Sequence, residues 1–232
     1  MNIKRTLCVV LLFILCVCLV GCSFEMPTQQ VTVDEPAAAP DTEGEKTEAP
    51  DPFADIIALY SSAVSAGWDA EQMQKNGLNP LIPACIAQDE RAKVGYFVGD
   101  LNGDGKEELA ISSKSESVAY TGFLFALYEL RDGKASLLVE SAERDRWYFA
   151  GEGKLYNEAS SSAAVSCYSV CTMDFELSFL DALEYNADER PDEPWLRFTG
   201  ETWEHITGEQ ADEALLEISY LIENLDIIPF DY

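Results

Sequence analysis

Two segments of the chain, one before residue 65 and one after residue 210, contain hydrophobic residues at every third or fourth position. The residues between these segments follow a different pattern. Over residues 53–64 and 211–225 the hydrophobic spacing matches one face of an α-helix. Residues 94–205 instead contain short runs rich in Val, Tyr, Phe, Leu and Ile, separated by Gly, Asn and Asp, as is typical of β-strands joined by turns. The pattern predicts an α+β domain with N-terminal helices, a set of strands and a C-terminal helix.

The helices before the strands have recognisable ends. The first is expected to begin with Asp51 as its N-cap and Pro52 at the first helical position, and to end at Gly67. A second, short helix is predicted over residues 70–76. The apolar segment at residues 78–87 contains two prolines and is expected to be irregular.

The predicted strands are joined by short connections, so consecutive strands are expected to pair as an antiparallel meander with one face covered. Thr207 and Gln210 form a capping box that predicts the start of the C-terminal helix. The strands are predicted over residues 94–98, 109–111, 123–130, 135–140, 146–149, 154–159, 163–173, 175–185, 195–198 and 202–205.

One acidic loop separates the first two predicted strands, and oxygen-bearing side chains recur in it at alternate positions. Calcium takes six to eight oxygen ligands at about 2.3–2.6 Å, and glycine permits the positive φ of a tight loop. Asn-Gly and Asp-Gly pairs also form hairpin turns without a metal, which is the alternative. The predicted Ca²⁺ ligands are the side chains of Asp100, Asn102, Asp104 and Glu108 and the main-chain carbonyl of Lys106.

This loop resembles the first half of an EF-hand loop, but the twelfth position, where an EF-hand has a bidentate Glu, is Ile111. It is more similar to the strand-loop-strand calcium loops of FG-GAP-type and integrin-like propeller repeats. In that resemblance Glu108 is the ninth-position ligand and Glu107 points away. Only one such loop occurs in the sequence, so a multi-bladed propeller is not expected.

Residues 1–22 have the features of a lipoprotein signal peptide. Lys4 and Arg5 precede an apolar core that ends in Leu-Val-Gly-Cys. This ending resembles a bacterial lipobox, which implies cleavage before Cys22 and lipidation of its sulfur. Two acyl chains give stable anchoring, so the resemblance implies attachment to the cell membrane on its extracytoplasmic face. An ordinary signal peptide or an uncleaved anchor is the alternative.

The composition changes after this segment. Residues 23–50 are rich in Pro, Ala and acidic residues and contain almost no large apolar side chains, so they predict a disordered tether. Residues 51–232 have the length of a single globular domain.

The chain is strongly acidic, with 42 Asp and Glu against 15 Lys and Arg, and a formal net charge of −27. Nucleic acid is therefore not an expected partner, because basic residues are what neutralise phosphate.

Three cysteines remain beyond Cys22, namely Cys85, Cys167 and Cys171. An odd number cannot all pair within one chain. Buried thiols are expected, and a Cys85 bridge to either of the others is the alternative.

Two arginines lie close together in this acid-rich sequence. Arg144 and Arg146 suggest a pocket for an anion or a carboxylate, which Glu158 on the neighbouring strand would help to line. Trp195 is a candidate for stacking on a sugar ligand. In the alternative, the arginines pair with the abundant acids and the tryptophan packs in the core.

The domain resembles a family of secreted, clostridia-type bacterial lipoproteins. The likeness lies in residues 95–100, 143–148, 157–164 and 194–195, and it extends over the domain from about Gly77. It implies a secreted domain with a calcium loop and supplies no activity.

The sequence contains no recognisable catalytic motif. His205 is the only histidine, and no G-x-S-x-G sequence is present, so no enzyme is predicted. The prediction is a lipid-anchored extracytoplasmic protein with a structural Ca²⁺ loop, which acts as a binding module for a protein or glycan ligand. The alternative is a secreted hydrolase of glycans or peptides in which the loop is only structural.

Overall fold

The structure is a computed structural model that describes residues 51–88, 93–114 and 122–231. Among these residues, 40% are in strands and 22% in helices, so the fold is mostly an antiparallel β-sheet with a few helices. They all belong to one compact unit, Glu48–Tyr232. The predicted signal peptide, the lipidation site at Cys22 and the predicted tether lie outside the described residues.

Three helices precede the sheet in the chain and one follows most of it: α1 (Ala54–Ser65), α2 (Ala70–Lys75), α3 (Ile82–Gln88) and α4 (Gly208–Ser219). None of the described helices is long and apolar enough to cross a membrane. The predicted Thr207–Gln210 capping box is present at the start of α4. A second capping box, formed by Asp69 and Gln72, begins α2 and was missed in the sequence.

Two helix predictions need correction. The helix α1 begins at Ala54 rather than at Pro52, because the Asp51 carboxylate accepts the Phe53 N–H at 2.8 Å and holds a turn before the helix. The segment expected to be irregular contains α3. Pro83 is tolerated there because it lies in the first turn, where the backbone N–H groups have no partner within the helix.

All the described strands form one sheet, and every strand pair in it is antiparallel. Their bounds are β1 (Lys93–Gly99), β2 (Glu108–Lys114), β3 (Phe123–Arg131), β4 (Lys134–Glu140), β5 (Asp145–Phe149), β6 (Lys154–Ser160), β7 (Val165–Thr172), β8 (Phe179–Asn186), β9 (Trp195–Phe198), β10 (Trp203–His205) and β11 (Ile228–Pro229).

The strand order departs from a simple meander at β3. Its C-terminal part pairs with β4, whereas its first two residues pair with β5, so β4 and β5 share the same edge of β3. The order along the sheet is β10-β9-β8-β7-β6-β5-β3-β2-β1-β11, with β4 off this path. The short strand β11, which the sequence pattern did not predict, pairs with β1 where Gly95 lies opposite Pro229.

The central strands are buried on both faces, not on one as expected. Neighbouring residues of a strand contribute to different apolar clusters, as Leu109 and Ala110 do. One cluster includes Tyr60 of α1 and Ile218 of α4, and the other includes Leu225 in the segment after α4. The continuous burial of β2 follows from this arrangement.

A buried asparagine connects the helical segment to the sheet. The Asn79 side chain is fully buried, and its Nδ2 donates to the main-chain carbonyls of Phe125 at 2.9 Å and of Ser141 at 2.7 Å. Its Oδ1 accepts the Leu81 N–H at 2.9 Å. The Asn79 N–H donates to the Tyr60 hydroxyl at 3.3 Å. One side chain therefore joins the segment before α3 to β3 and to the residue after β4.

The cysteines Cys85, Cys167 and Cys171 are all free thiols, so the predicted alternative of a Cys85 bridge does not occur. Cys85 and Cys171 are buried and Cys167 is half-buried. Burial raises the pKa of Cys171 to about 12, with the Asp174 charge adding to the effect.

Candidate functional site

The acidic loop connects β1 to β2, which gives the predicted strand-loop-strand arrangement. The Asp100 carboxylate points back into the loop and accepts three backbone N–H groups. The donors are Gly103 at 2.7 Å, Asp104 at 3.1 Å and Gly105 at 3.0 Å. Both glycines have positive φ, of 78° and 84°, a conformation that suits residues without a Cβ. The loop thus curls around Asp100.

Asn102 and Asp104 also direct oxygens towards the loop backbone. The Asn102 Oδ1 accepts the Asp104 N–H at 2.9 Å, and the Asp104 Oδ1 accepts the Lys106 N–H at 2.8 Å. The Lys106 ammonium lies 3.3 Å from the other Asp104 oxygen. The Lys106 backbone N–H lowers the pKa of Asp104, and the ammonium adds to this shift. Lys106 was predicted to offer its carbonyl oxygen to a cation. In the structure its side chain supplies a positive charge to Asp104, one of the predicted cation ligands.

Glu108 closes the loop from the first position of β2. It is only 2% exposed, and its Oε2 accepts the Leu101 N–H at 2.8 Å. Burial raises the pKa of Glu108, and the charges of Asp104 and Asp100 raise it further. Within the described parts of the chain, no Lys or Arg forms an ion pair with it. Glu107 beside it is exposed, as the predicted orientation requires.

The donor set of this loop fits a hard cation in its chemistry, since every predicted ligand is an oxygen. Glu108, Asp104 and Lys106 also line a cavity of about 320 Å³ beside the loop. No group of three or more His, Cys, Asp or Glu side chains is close enough to hold a metal ion in the part of the chain that is described. A bound ion would therefore need the loop carboxylates to move closer together.

The second predicted site lies on β5 and β6, and the structure brings most of it together. Arg146 stands opposite Glu158 in the strand register, and Glu158 stands opposite Tyr168 of β7. Directly opposed residues share a face of the sheet. This face has a cleft of about 250 Å³, which we call the arginine cleft. It is lined by Glu143, Arg144, Arg146, Glu158, Ala159, Ser160, Ser166 and Tyr168.

Two buried tyrosines hold Glu158 in the arginine cleft. The Tyr156 hydroxyl donates to one Glu158 oxygen at 3.0 Å, and the Tyr148 hydroxyl donates to the other at 3.3 Å. Burial raises the pKa of Tyr148 to about 12, the Glu158 charge adds to this, and the nearby Arg146 guanidinium opposes it. Burial and the Glu158 charge raise the pKa of Tyr156 as well.

Trp195 does not line the arginine cleft. Its ring packs between two tyrosines, with centroids 4.9 Å from Tyr185 and 6.3 Å from Tyr168. Because Tyr168 itself lines the cleft, the tryptophan contacts a residue of its wall. The prediction that Trp195 contacts a ligand directly remains a prediction, and the structure places Tyr168 nearer to that role.

A larger cavity of about 540 Å³ adjoins the arginine cleft, shares Arg144, Ala159, Ser160 and Ser166 with it, and extends onto the other face of the same strands. Asp145 and Ala159 line it, in register with Cys167 and Glu184. Arg144 borders both cavities, because it lies at the end of the β5–β6 pair, where its carbonyl accepts the Ser160 N–H at 2.8 Å. The Asp145 carboxylate on this second face accepts a bond from Asn157 at 2.6 Å.

The sequence analysis missed the two tyrosines that orient Glu158. A signal for them was present, because Tyr148 follows Arg146 by two positions and Tyr156 precedes Glu158 by two. Residues two apart in a strand share a face. Once the β5–β6 hairpin is assumed, this spacing places all four side chains together.

Comparison of the chain with protein families, with curated proteins and with solved structures finds no match in any of the three.

Proposed function

We propose that this chain is a lipid-anchored extracytoplasmic binding protein whose acidic loop holds a structural Ca²⁺ ion. Residues 1–22 would be the signal peptide, Cys22 the lipidated residue, and residues 23–50 a tether that carries the domain away from the membrane. The domain at residues 51–232 would be of the α+β class, with its helices before and after the sheet. Its ligand would be a protein or a glycan.

The observation that carries the calcium proposal is the direction of the loop oxygens. The side chains of Asp100, Asn102 and Asp104 all accept N–H groups of the loop backbone, although Asp100 and Asp104 remain exposed. Glu108 is a buried carboxylate without an ion pair among the described residues, and the negative charges of Asp100 and Asp104 repel its ionised form. A divalent cation would remove this repulsion and use the remaining lone pairs of the same oxygens.

Such an ion would hold β1 and β2 together at the loop end. In that state Asp100, Asn102, Asp104 and Glu108 would supply side-chain oxygens, and Lys106 would supply its carbonyl. The Lys106 ammonium would have to leave Asp104. Because the ion would bind only the folded chain, its effect would be on stability.

The test is thermal unfolding of the full-length chain in calcium and in EDTA. A site with a dissociation constant of about 10⁻⁴–10⁻³ M would stabilise the fold by about 1.4–2.7 kcal/mol at about 10 mM calcium. We expect Asp100→Ala and Asp104→Ala to remove the difference between the two conditions. Glu107→Gln is the matched control, because it removes a charge from the same loop at an exposed position and should retain the calcium effect.

Identical unfolding curves in calcium and in EDTA would reject the calcium site. An equal effect of magnesium and calcium on the wild-type chain would show charge screening instead of a specific site. The anchor has a separate test: growth with labelled palmitate should label the wild-type chain and leave Cys22→Ala unlabelled.

A secreted hydrolase, the alternative, would have converging carboxylates of raised pKa in a ligand-sized cleft. The two described carboxyl groups whose pKa is raised are those of Glu108 and Glu140. Glu108 lines the cavity beside the loop, and Glu140 accepts a hydrogen bond from buried Asn79. The binding proposal is therefore the one that the geometry supports better.

A further inference from the structure

Two arginines of the described chain are not neutralised by the acids around them. Arg131, Arg190 and Arg197 each form an ion pair with Asp or Glu. Arg144 and Arg146 form none with any described residue, although the whole chain has a net charge of −27. Both are exposed, and both line the arginine cleft.

The acids nearest to these arginines in the sheet have other partners. Both oxygens of Glu158 accept tyrosine hydroxyls, from Tyr148 and Tyr156. The Asp145 carboxylate accepts an amide N–H of Asn157 on the opposite face of the sheet. Hydrogen bonds of this kind fix an acid in place. The neighbouring guanidinium groups therefore line the cleft without an ion pair to a described acid, although Arg146 also interacts with the Tyr148 hydroxyl.

The charges of the cleft restrict what it can bind. Arg144 and Arg146 are opposed by Glu143 and Glu158, so the cleft contains two positive and two negative groups. A phosphate or sulfate would meet both carboxylates and gain little. A ligand with one carboxylate near the arginines and with hydrogen-bond donors near Glu158 would complement both the positive and the negative groups. A guanidinium group also matches a carboxylate in geometry.

The remaining walls suit a small polar molecule. Ser160 and Ser166 line the cleft and carry hydroxyl groups. Tyr168 adds an aromatic ring, which contacts the ring of Trp195. A volume of about 250 Å³ is enough for one sugar ring or one amino acid and is too small for a folded partner.

We propose that the arginine cleft binds a small ligand, or the end of a larger one, whose carboxylate lies between Arg144 and Arg146 and whose adjacent hydroxyl or ammonium group donates to Glu158. A uronic acid and a free amino acid both carry this chemistry. The inference rests on the binding function proposed above and gives its ligand class. It does not depend on calcium.

The experiment is calorimetric titration of the full-length chain with D-glucuronate, D-glucose and L-alanine at low ionic strength. Glucuronate and glucose differ in the carboxylate at C6, so only glucuronate should bind if the ligand is an acidic sugar. Binding of alanine without glucuronate would instead identify an amino acid as the source of the same chemistry. We expect Arg144→Gln and Arg146→Gln each to weaken binding by about tenfold or more, because each removes hydrogen bonds to a charged group.

Lys134→Gln is the matched control, since it removes one positive charge at the exposed first residue of β4, which does not line the cleft. It should bind as the wild type does. Both arginines are exposed, so the variants should unfold at the wild-type temperature, which separates lost binding from lost folding.

Equal binding of glucose and glucuronate, unchanged affinity in the Arg144→Gln/Arg146→Gln double variant, or no binding of any of the three probes would overturn this ligand class. None of these outcomes would alter the calcium-dependent melting that tests the loop, so the two proposals fail separately.

Discussion

Replacing Asn79 should show how strongly the helical segment is tied to the sheet. In Asn79→Ala the main-chain bond to Tyr60 stays, but the four hydrogen bonds of the side chain, to Phe125, Glu140, Ser141 and Leu81, are lost. The Phe125 carbonyl keeps one partner, because it also accepts the Ser141 N–H at 3.0 Å. The Ser141 carbonyl and the Leu81 N–H lose the partner that the side chain gave them.

The size of the loss follows from these two groups. A buried polar group left without a partner costs about 1–3 kcal/mol, so two of them and the small cavity reduce the free energy of unfolding by about 4 kcal/mol. This is a large fraction of the total for a single domain. With a urea dependence of about 2 kcal/mol per molar, the midpoint of unfolding should fall by about 2 M.

The paired variant Asn79→Asp separates hydrogen bonding from volume. It keeps the size and the acceptor for Leu81, but it replaces the donor by a charged oxygen that faces two carbonyls and lies near Glu140. We expect it to be less stable than Asn79→Ala at pH 7. Its stability should recover as the pH falls, because a protonated carboxyl can donate and its folded-state pKa must be raised.

Urea unfolding followed by tryptophan fluorescence and by circular dichroism measures both variants. A loss below about 1 kcal/mol in Asn79→Ala would refute the reasoning, since the buried Ser141 carbonyl left without its partner should alone cost about that much. An Asn79→Asp variant as stable as wild type at pH 7 would show that the site is open to water.

Three further predictions concern single sites. In EDTA, Glu108→Gln should be more stable than wild type at pH 7, because the raised pKa of Glu108 makes its ionised form unfavourable in the folded chain. This difference in stability should shrink as the pH falls through the raised pKa towards 4.5, which urea unfolding at several pH values would measure. Gly95→Ala should lower the free energy of unfolding by about 1–3 kcal/mol, since the added Cβ would overlap the Ile228 carbonyl oxygen and lie 2.8 Å from the carbonyl carbon. Protease cleavage near the C-terminus should become faster in this variant, and unchanged cleavage would contradict the β1–β11 pairing. Cys171 should resist iodoacetamide at pH 8 until the chain unfolds, because burial raises the pKa of its thiol to about 12; rapid labelling of the native chain, detected by mass spectrometry, would be inconsistent with that burial.

The sequence determined those features that depend on neighbours along the chain. The ten predicted strands all occur, since each is a short run of apolar residues bounded by turn formers. The capping box at Thr207 was likewise predicted, because a cap is a contact between residues two to four apart. The inward curl of the acidic loop follows the same local rule.

The tertiary structure decided what depends on residues far apart. It placed β4 and β5 on one edge of β3 and added β11 to the edge of β1, and neither pairing has a local signal. It buried Asn79 against strands about fifty residues away. It also left Arg144 and Arg146 without an ion pair to any described residue, because ion pairing depends on which acids reach them in space. A pattern along the chain records the face on which a side chain lies, but the partner on that face is set by the packing of the whole sheet.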